Sequence, residues 1–231
     1  MISIIVSNKI WHRKYVSEVS ARTGHKVIYI DDSSKINMNY LSSIKPRYIF
    51  FPHWSNFIPE EVFSNFNCVV FHMSDLPYGR GGSPLQNLIS RGIYETKVTA
   101  LKCTSEIDAG DIYLKKPLSL WGGAEEIYIR SGEIIKEMIV EIINNNIAPI
   151  PQKGQVSIFK RRKPSDSNIA NLSSLREVFD YIRMLDAVGY PKAYLITDNL
   201  KLEFTRAAFY DGFINADVKI TPITDKEKEN V

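Results

Sequence analysis

Residues 68–86 read CVVFHMSDLPYGRGGSPLQ, and this stretch decides the fold class that the sequence predicts. It opens with a short apolar run, typical of a buried strand, and continues into glycines and prolines, typical of a loop. His72 falls at the carboxyl end of the run, which is the edge at which open α/β sheets bind ligands. The stretch therefore predicts a strand that brings His72 to a ligand site.

Similar apolar runs precede this strand, and a helical stretch follows each of them: Ile2–Val6, Lys26–Ile30 and Tyr48–Phe51. Short apolar runs that alternate with helices predict a mostly parallel sheet covered on both faces, so the predicted fold class is doubly wound α/β. Further strands are predicted at 97–103 and 112–120. The apolar spacing at 124–145 predicts a long amphipathic helix.

A break in composition after this helix predicts a domain boundary near residue 150, because Pro149, Pro151 and Gly154 follow a run of three asparagines. Beyond the boundary we expect a helix at 175–186 and a small, mainly β module, with strands at 193–197, 200–208 and 216–220. The predicted domains are therefore 1–150 and 151–231. Residues 225–231 are mostly charged, which is typical of a frayed terminus.

The composition excludes several classes of function. The chain has 231 residues and a formal net charge of +3, which is too small to indicate nucleic-acid binding by itself. It contains no apolar run of membrane-spanning length and no signal peptide, and its two cysteines cannot form a disulfide scaffold, so we expect a cytoplasmic protein with no membrane partner. The sequence lacks a dinucleotide fingerprint and a phosphate-binding loop, and its four histidines do not have metal-ligand spacing. We therefore expect no metal site.

A second candidate for chemistry is the loop at 107–112, which reads IDAGDI and places Asp108 just before a predicted strand. A histidine and an aspartate in one crevice suit proton transfer around a tetrahedral intermediate, because the carboxylate orients the imidazole and favours its charged form. The alternative is that His72 is a structural residue at a strand end and Asp108 belongs to an ordinary turn.

These two segments together resemble the formyltransferase family that takes its one-carbon unit from 10-formyltetrahydrofolate. The resemblance rests on residues 72–86 and 107–112, and residues 52–59 occupy the place of the family's folate-contacting loop. Residues 159–166 and 175–193 are similar to the appended segment of sugar-nucleotide N-formyltransferases. The resemblance implies a Rossmann-like formyltransferase domain that binds folate, followed by a small C-terminal module for the sugar nucleotide or for oligomerisation.

The resemblance also implies a reaction, the transfer of the formyl group to the amine of a nucleotide-linked amino sugar. The bacterial enzymes that formylate a UDP-linked 4-amino-4,6-dideoxy sugar, related to the pseudaminic acid pathway, are the most similar branch. The resemblance implies a nucleotide-sugar substrate and no nucleic-acid partner, and it is compatible with a homodimer. Two alternatives stay open, methionyl-tRNA formyltransferase and a non-catalytic folate-binding module. We rank the first alternative lower because the tail is short and the net charge small.

The catalytic residues implied by the resemblance are His72 and Asp108, with one departure from the family pattern. The family has an asparagine two positions before its histidine, and Val70 stands there in this chain. Because valine cannot donate a hydrogen bond, we expect a substitute amide for the developing oxyanion, with Asn87 as the first choice over Gln86 and Asn56.

The remaining implied residues fall into two groups. The folate donor is expected in an apolar slot between the segments 54–58 and 101–108, with these contacts: Trp54, Asn56, Phe57, Ile58, Leu101, Ile107 and Asp108. The substrate is expected to contact the glycine-rich loop, Gln86 and a limited set of cations: Arg80, Gly81, Gly82, Ser83, Gln86, Arg161, Arg162 and Arg183.

Overall fold

A computed structural model describes residues 1–223, so the predicted frayed segment at 225–231 lies outside the described residues. The helices are α1 (Tyr15–Thr23), α2 (Met38–Ile44), α3 (Glu60–Asn65), α4 (Pro84–Ile89), α5 (Ala124–Asn145) and α6 (Leu175–Leu185). The strands are β1 (Ile2–Val6), β2 (Lys26–Ile30), β3 (Tyr48–Phe51), β4 (Cys68–His72), β5 (Arg80–Gly81), β6 (Glu95–Lys102), β7 (Ile112–Ser119), β8 (Ile158–Phe159), β9 (Ala193–Ile196), β10 (Leu200–Tyr210) and β11 (Phe213–Pro222).

The main sheet has six strands in the order β2-β1-β3-β4-β6-β7. The first four are parallel, and β6 and β7 extend the sheet as antiparallel strands. The predicted α/β class with a mostly parallel sheet is therefore confirmed. The parallel strands read as continuous apolar runs because helices cover both faces of the sheet, and the buried side chains of one face form a core around Ile4, Ile49 and Phe51.

The C-terminal residues form the predicted small β module. It is a three-stranded antiparallel sheet in the order β11-β10-β9, and α6 packs against β10. A Ser174 cap and the Glu177 carboxylate fix the start of α6 in a capping box. The sequence did not predict the short parallel pair of β5 with β8.

The chain divides into two compact units, and these do not follow a single boundary at residue 150. The first unit comprises Met1–Pro84, Glu95–Ser119 and Ile129–Phe159. The second comprises Leu85–Tyr94, Leu120–Tyr128 and the described residues from Lys160 onward. Two segments from the predicted first domain, 1–150, thus belong to the unit that contains the β module. The roles expected for the two predicted domains stay predictions.

Within residues 1–223, no helix combines the length and apolar character that a membrane crossing requires. The same residues contain no group of three or more histidine, cysteine, aspartate or glutamate side chains placed to hold a metal ion.

Candidate functional site

His72 ends β4 at the carboxyl edge of the main sheet, and its imidazole is held between two oxygen atoms. Its Nδ1 lies 3.4 Å from Asp108 Oδ2, and the two side chains are only 8% and 16% exposed. Its Nε2 lies 2.7 Å from the carbonyl oxygen of Gly79, to which it donates because a carbonyl can only accept. The Gly79 carbonyl therefore fixes an N–H on Nε2, and the Nδ1 edge of the ring faces the Asp108 carboxylate.

Asp108 reaches His72 from the loop between β6 and β7. Its backbone is in the left-handed region, with φ of 53°, which is uncommon for residues other than glycine. Its Oδ2 also accepts a hydrogen bond of 2.9 Å from the backbone N–H of Gly81. Asp108 therefore connects the His72 segment to the glycine-rich loop, and the structure brings together the two residues that the sequence predicted as a pair.

Gly81 fits this position because its backbone takes φ of 100° and passes close to β8. A Cβ atom at Gly81 would lie 2.5 Å from the carbonyl oxygen of Phe159. Glycine therefore permits both the turn and the pairing of β5 with β8.

A segment at 150–159, which we call the strap, contacts both the Asp108 loop and the glycine-rich loop. The sequence analysis did not predict this role. The side chain of Gln152 donates to the carbonyl oxygens of Asp108 and Gly110 at 2.8 and 2.9 Å. The Ser157 hydroxyl accepts from the N–H of Gly79 at 2.8 Å. The prolines and glycine of this region predicted a domain boundary, whereas the β-branched and aromatic residues Val156, Ile158 and Phe159 could have indicated its short strand.

Val70 and Leu101 belong to the interior rather than to a ligand slot. Leu101 is fully buried and packs with Leu76 and Ile112, and half-buried Val70 packs against the same cluster. This burial counts against the expected contact of the Leu101 side chain with folate, which stays a prediction.

The amides of Asn87 and Gln86 are engaged inside the second unit. Asn87 Nδ2 donates to the carbonyl oxygen of Lys160 at 2.9 Å, and its Oδ1 accepts from Arg91 at 2.9 Å. Gln86 Nε2 donates to the Tyr128 hydroxyl and to a backbone carbonyl at 3.3 and 3.1 Å. Both side chains are buried, so these contacts support the packing alternative and count against the predicted role as oxyanion donor or substrate contact.

The predicted folate segments place apolar side chains at the surface of the first unit. Phe57 is 82% exposed and Ile107 is 73% exposed, whereas Ile58 is buried in the core. Asn56 is exposed. The buried indole Nε1 of Trp54 has no hydrogen-bond partner among the described residues. Exposed apolar side chains and a polar group without a partner are features that suit a flat heterocycle with polar edges.

The predicted cations differ in their availability. Arg183 is 3% exposed, pairs with Asp180 at 2.7 Å and donates to two backbone carbonyls, and these contacts count against the predicted role in substrate binding. Arg162 lies over the Tyr181 ring at 5.0 Å, and Arg161 is exposed. Arg80 bonds to Gln152 and Glu106.

In the glycine-rich loop, Gly82 donates to the carbonyl oxygen of Phe159 at 3.1 Å, and Ser83 takes φ of 52°.

A solved structure named methionyl-tRNA formyltransferase from Clostridium thermocellum is 45% identical to this chain. The alignment covers 96% of this chain and 99% of that one, with a TM-score of 0.92. The chain belongs to the formyltransferase family. Residues 164–221 match the family described as methionyl-tRNA formyltransferase, C-terminal domain.

Curated members of the formyltransferase family are longer. The methionyl-tRNA formyltransferase of Thermodesulfovibrio yellowstonii is 25% identical over 180 residues, which are 74% of this chain and 58% of that protein. The chain thus spans little more than half the length of this relative. A 4-N formyltransferase from Francisella tularensis aligns with 85% of this chain and 93% of its own at 18% identity and a TM-score of 0.65, which shows a shared fold alone.

The comparisons correct the predicted partners. The family match and the relatives of higher identity carry a name that specifies methionyl-tRNA, and the sugar-modifying enzyme shares only the fold. The expectation of a nucleotide-sugar substrate with no nucleic-acid partner is contradicted by these relatives. The inference from a small net charge failed because net charge does not report how cations are distributed over a surface.

Proposed function

We propose that this chain transfers a formyl group from 10-formyltetrahydrofolate to the amino group of methionyl-tRNA. The observation that carries the proposal is the pairing of buried His72 with half-buried Asp108 at the carboxyl edge of the sheet. It occurs in a chain 45% identical, over nearly its whole length, to a protein named for that reaction. The folate donor rests on the family resemblance and on the exposed apolar side chains of the 54–58 and 101–108 segments.

The reaction is an acyl transfer between two nitrogen atoms. The amine of the acceptor forms a bond to the formyl carbon, and the bond from that carbon to N10 of the folate breaks. One proton leaves the amine and one is gained by N10, so charge and atoms balance without an oxidant.

The residues of this chain act on the charge that develops on the formyl oxygen. His72 stabilises this negative charge through its ring N–H, and Asp108 keeps the imidazole oriented. The Gly79 carbonyl and the Gly81 N–H hold the two side chains in place before substrate binds. This preorganisation avoids rearrangement during the reaction.

The test mixes the protein with 10-formyltetrahydrofolate and methionyl-tRNA, and it measures the formylmethionine that is released when the ester bond of the product is hydrolysed. We expect product to form with the wild-type chain and not with His72→Asn, with uncharged tRNA as the acceptor control. Binding of the folate without any product would contradict the proposal and favour the non-catalytic folate module, which Val70 keeps open.

A further inference from the structure

Gln152 lies in the strap between α5 and β8, outside every motif that indicated the reaction. Every hydrogen-bond donor and acceptor of its side-chain amide has a partner. Its two N–H groups donate to Asp108 O and Gly110 O, at 2.8 and 2.9 Å. Its Oε1 accepts from Arg80 Nη2 at 2.9 Å and from Arg80 Nε at 3.2 Å. A carboxamide has two donors and one oxygen with two lone pairs, so each of its capacities has a partner.

The two carbonyls that Gln152 binds lie on either side of Ala109, in the loop that presents Asp108. Asp108 takes φ of 53°, a conformation that persists in a non-glycine residue only when the surroundings hold it. Gln152 binds both carbonyls from a single side chain and so fixes the orientation of the peptide groups at this turn. The direction of the Asp108 carboxylate follows from that backbone.

The side-chain oxygen of Gln152 connects the strap to the glycine-rich loop through Arg80. Arg80, which Gln152 accepts from, precedes Gly81, and the N–H of Gly81 binds Asp108 Oδ2. Arg80 also donates to Glu106 Oε1 at 3.1 Å, two residues before Asp108. One side-chain amide therefore connects the backbone of the Asp108 loop to the loop that holds its carboxylate.

We propose that Gln152 is a positioning residue that holds the Asp108 carboxylate beside His72. The role rests on the proposed formyl transfer, because its consequence for rate appears only if that reaction occurs. Its consequence for geometry does not depend on the acceptor.

Gln152→Glu separates the two halves of the contact in the full-length chain. It keeps an oxygen for Arg80, loses both donors and directs a negative charge at the two carbonyls. We expect kcat to fall roughly ten- to hundredfold, the effect expected of a slightly misplaced catalytic group, with KM for the folate donor within about twofold of wild type. Gln155→Glu is the matched control because Gln155 is an exposed glutamine of the same strap, and it should leave kcat unchanged.

A double-mutant cycle with Asp108→Asn distinguishes positioning from general support of the fold. If Gln152 acts through Asp108, Gln152→Glu will change kcat by less than about twofold in the Asp108→Asn background. Full additivity of the two losses would overturn the proposal. Gln152→Asn, which keeps the amide but is one methylene shorter, repeats the cycle should the glutamate variant not fold.

The side-chain nitrogen resonances of His72 give a readout that needs no acceptor. Asp108→Asn and Gln152→Glu should shift the Nδ1 resonance in the same direction, and Gln155→Glu should not. Were the wild-type chain inactive on methionyl-tRNA and these shifts present, the proposed function would fail and the positioning role would stand. An unchanged His72 resonance in Gln152→Glu overturns the positioning role whatever the activity.

Discussion

At the scale of single residues, Asp108 and Asp111 offer a comparison within one loop. Asp108 contacts His72 and the Gly81 N–H, whereas Asp111 engages the sheet through its backbone carbonyl, which accepts from the N–H of Lys102 at 2.8 Å. Both side chains are charged and both lie in the turn between β6 and β7. Their difference in function should therefore follow from contact with the imidazole rather than from charge alone.

We predict that Asp108→Asn lowers kcat a hundredfold or more, because the imidazole loses the carboxylate that orients it. Asp111→Asn removes the same charge three residues away and should retain most of the activity. Steady-state kinetics of both variants, with their melting temperatures, provide the measurement. Equal losses in the two variants would show that the loop charge, and not the pair with His72, is what matters.

His12 is a second residue whose surroundings lead to a measurable effect, this time on stability. It is fully buried, its Nδ1 lies 2.7 Å from the Ser7 hydroxyl, and its ring lies 5.1 Å from that of His53. Burial, with a contribution from the charge of Lys9, lowers the pKa of His12 to about 4. The folded chain therefore keeps His12 neutral at a pH where the unfolded chain binds a proton.

This difference predicts that stability is lost as pH falls. Between pH 6.5 and about 4 the unfolded state holds one more proton at His12 than the folded state, so the free energy of unfolding decreases with falling pH, by roughly 3 kcal/mol over the whole interval. Urea unfolding at pH 7 and pH 4.5 measures the effect. His12→Gln, which cannot titrate, should show a smaller loss, and an identical loss in variant and wild type would contradict the assignment.

At the scale of elements, the glycine-rich loop and the strap depend on each other. β5 pairs with β8, the Phe159 ring lies against Gly79, and Ser157 bonds to the Gly79 N–H. These contacts surround the carbonyl that accepts from His72. A two-residue strand has little stability of its own, so the geometry of this loop comes from the strap.

We predict that Gly81→Ala disrupts this pairing and lowers activity. Gly81 and Gly24 both have positive φ, at 100° and 68°, but a Cβ atom would approach the Phe159 carbonyl at the first position and open space at the second. Gly24→Ala should cost only the backbone strain, about 1 kcal/mol, with normal activity. Gly81→Ala should cost more and lower kcat. Thermal unfolding and kinetics of the pair test this, and equal stability with equal activity would refute the steric argument.

At the scale of the whole molecule, the net charge is only +3. A long polyanion would therefore have to bind at local groups of cations. Lys160, Arg161 and Lys163 are exposed and directly adjoin the segment that matches the tRNA-formyltransferase C-terminal family. Three such cations can form a few phosphate contacts, fewer than an extensively basic surface would.

We therefore predict a moderate salt dependence of tRNA affinity, with a loss of about fortyfold between 50 and 200 mM salt for three phosphate contacts. Replacing Lys160, Arg161 and Lys163 by glutamine should flatten the dependence. The same replacement at Lys26, Lys35 and Lys45, which are exposed in the first unit, serves as the control. Equal salt slopes in both triple variants would contradict the assignment to the C-terminal cations.

The sequence by itself determined those features of the fold that depend on residues close together in the chain. The strand Cys68–His72 and the helix Ala124–Asn145 begin and end where the apolar spacing predicted, because burial of one stripe or one run depends on residues close in the chain. The pairing of His72 with Asp108 was also predicted, since both follow strand ends at one sheet edge and both match a family motif. The sequence did not predict the chemical class of the acceptor. The motifs identify the site of formyl transfer, and they carry no information about the acceptor molecule that binds beside it.

Only the tertiary structure decided which polar side chains face the site and which hold the fold. Asn87 and Arg183 looked available in the sequence, yet Asn87 donates to the carbonyl oxygen of Lys160 and Arg183 donates to the carbonyl oxygen of Leu120. Gln152 looked like part of a linker, yet it holds a turn 44 residues away. A hydrogen bond requires its partners within about 3 Å, and that proximity comes from packing between segments distant in the chain, which no local pattern encodes.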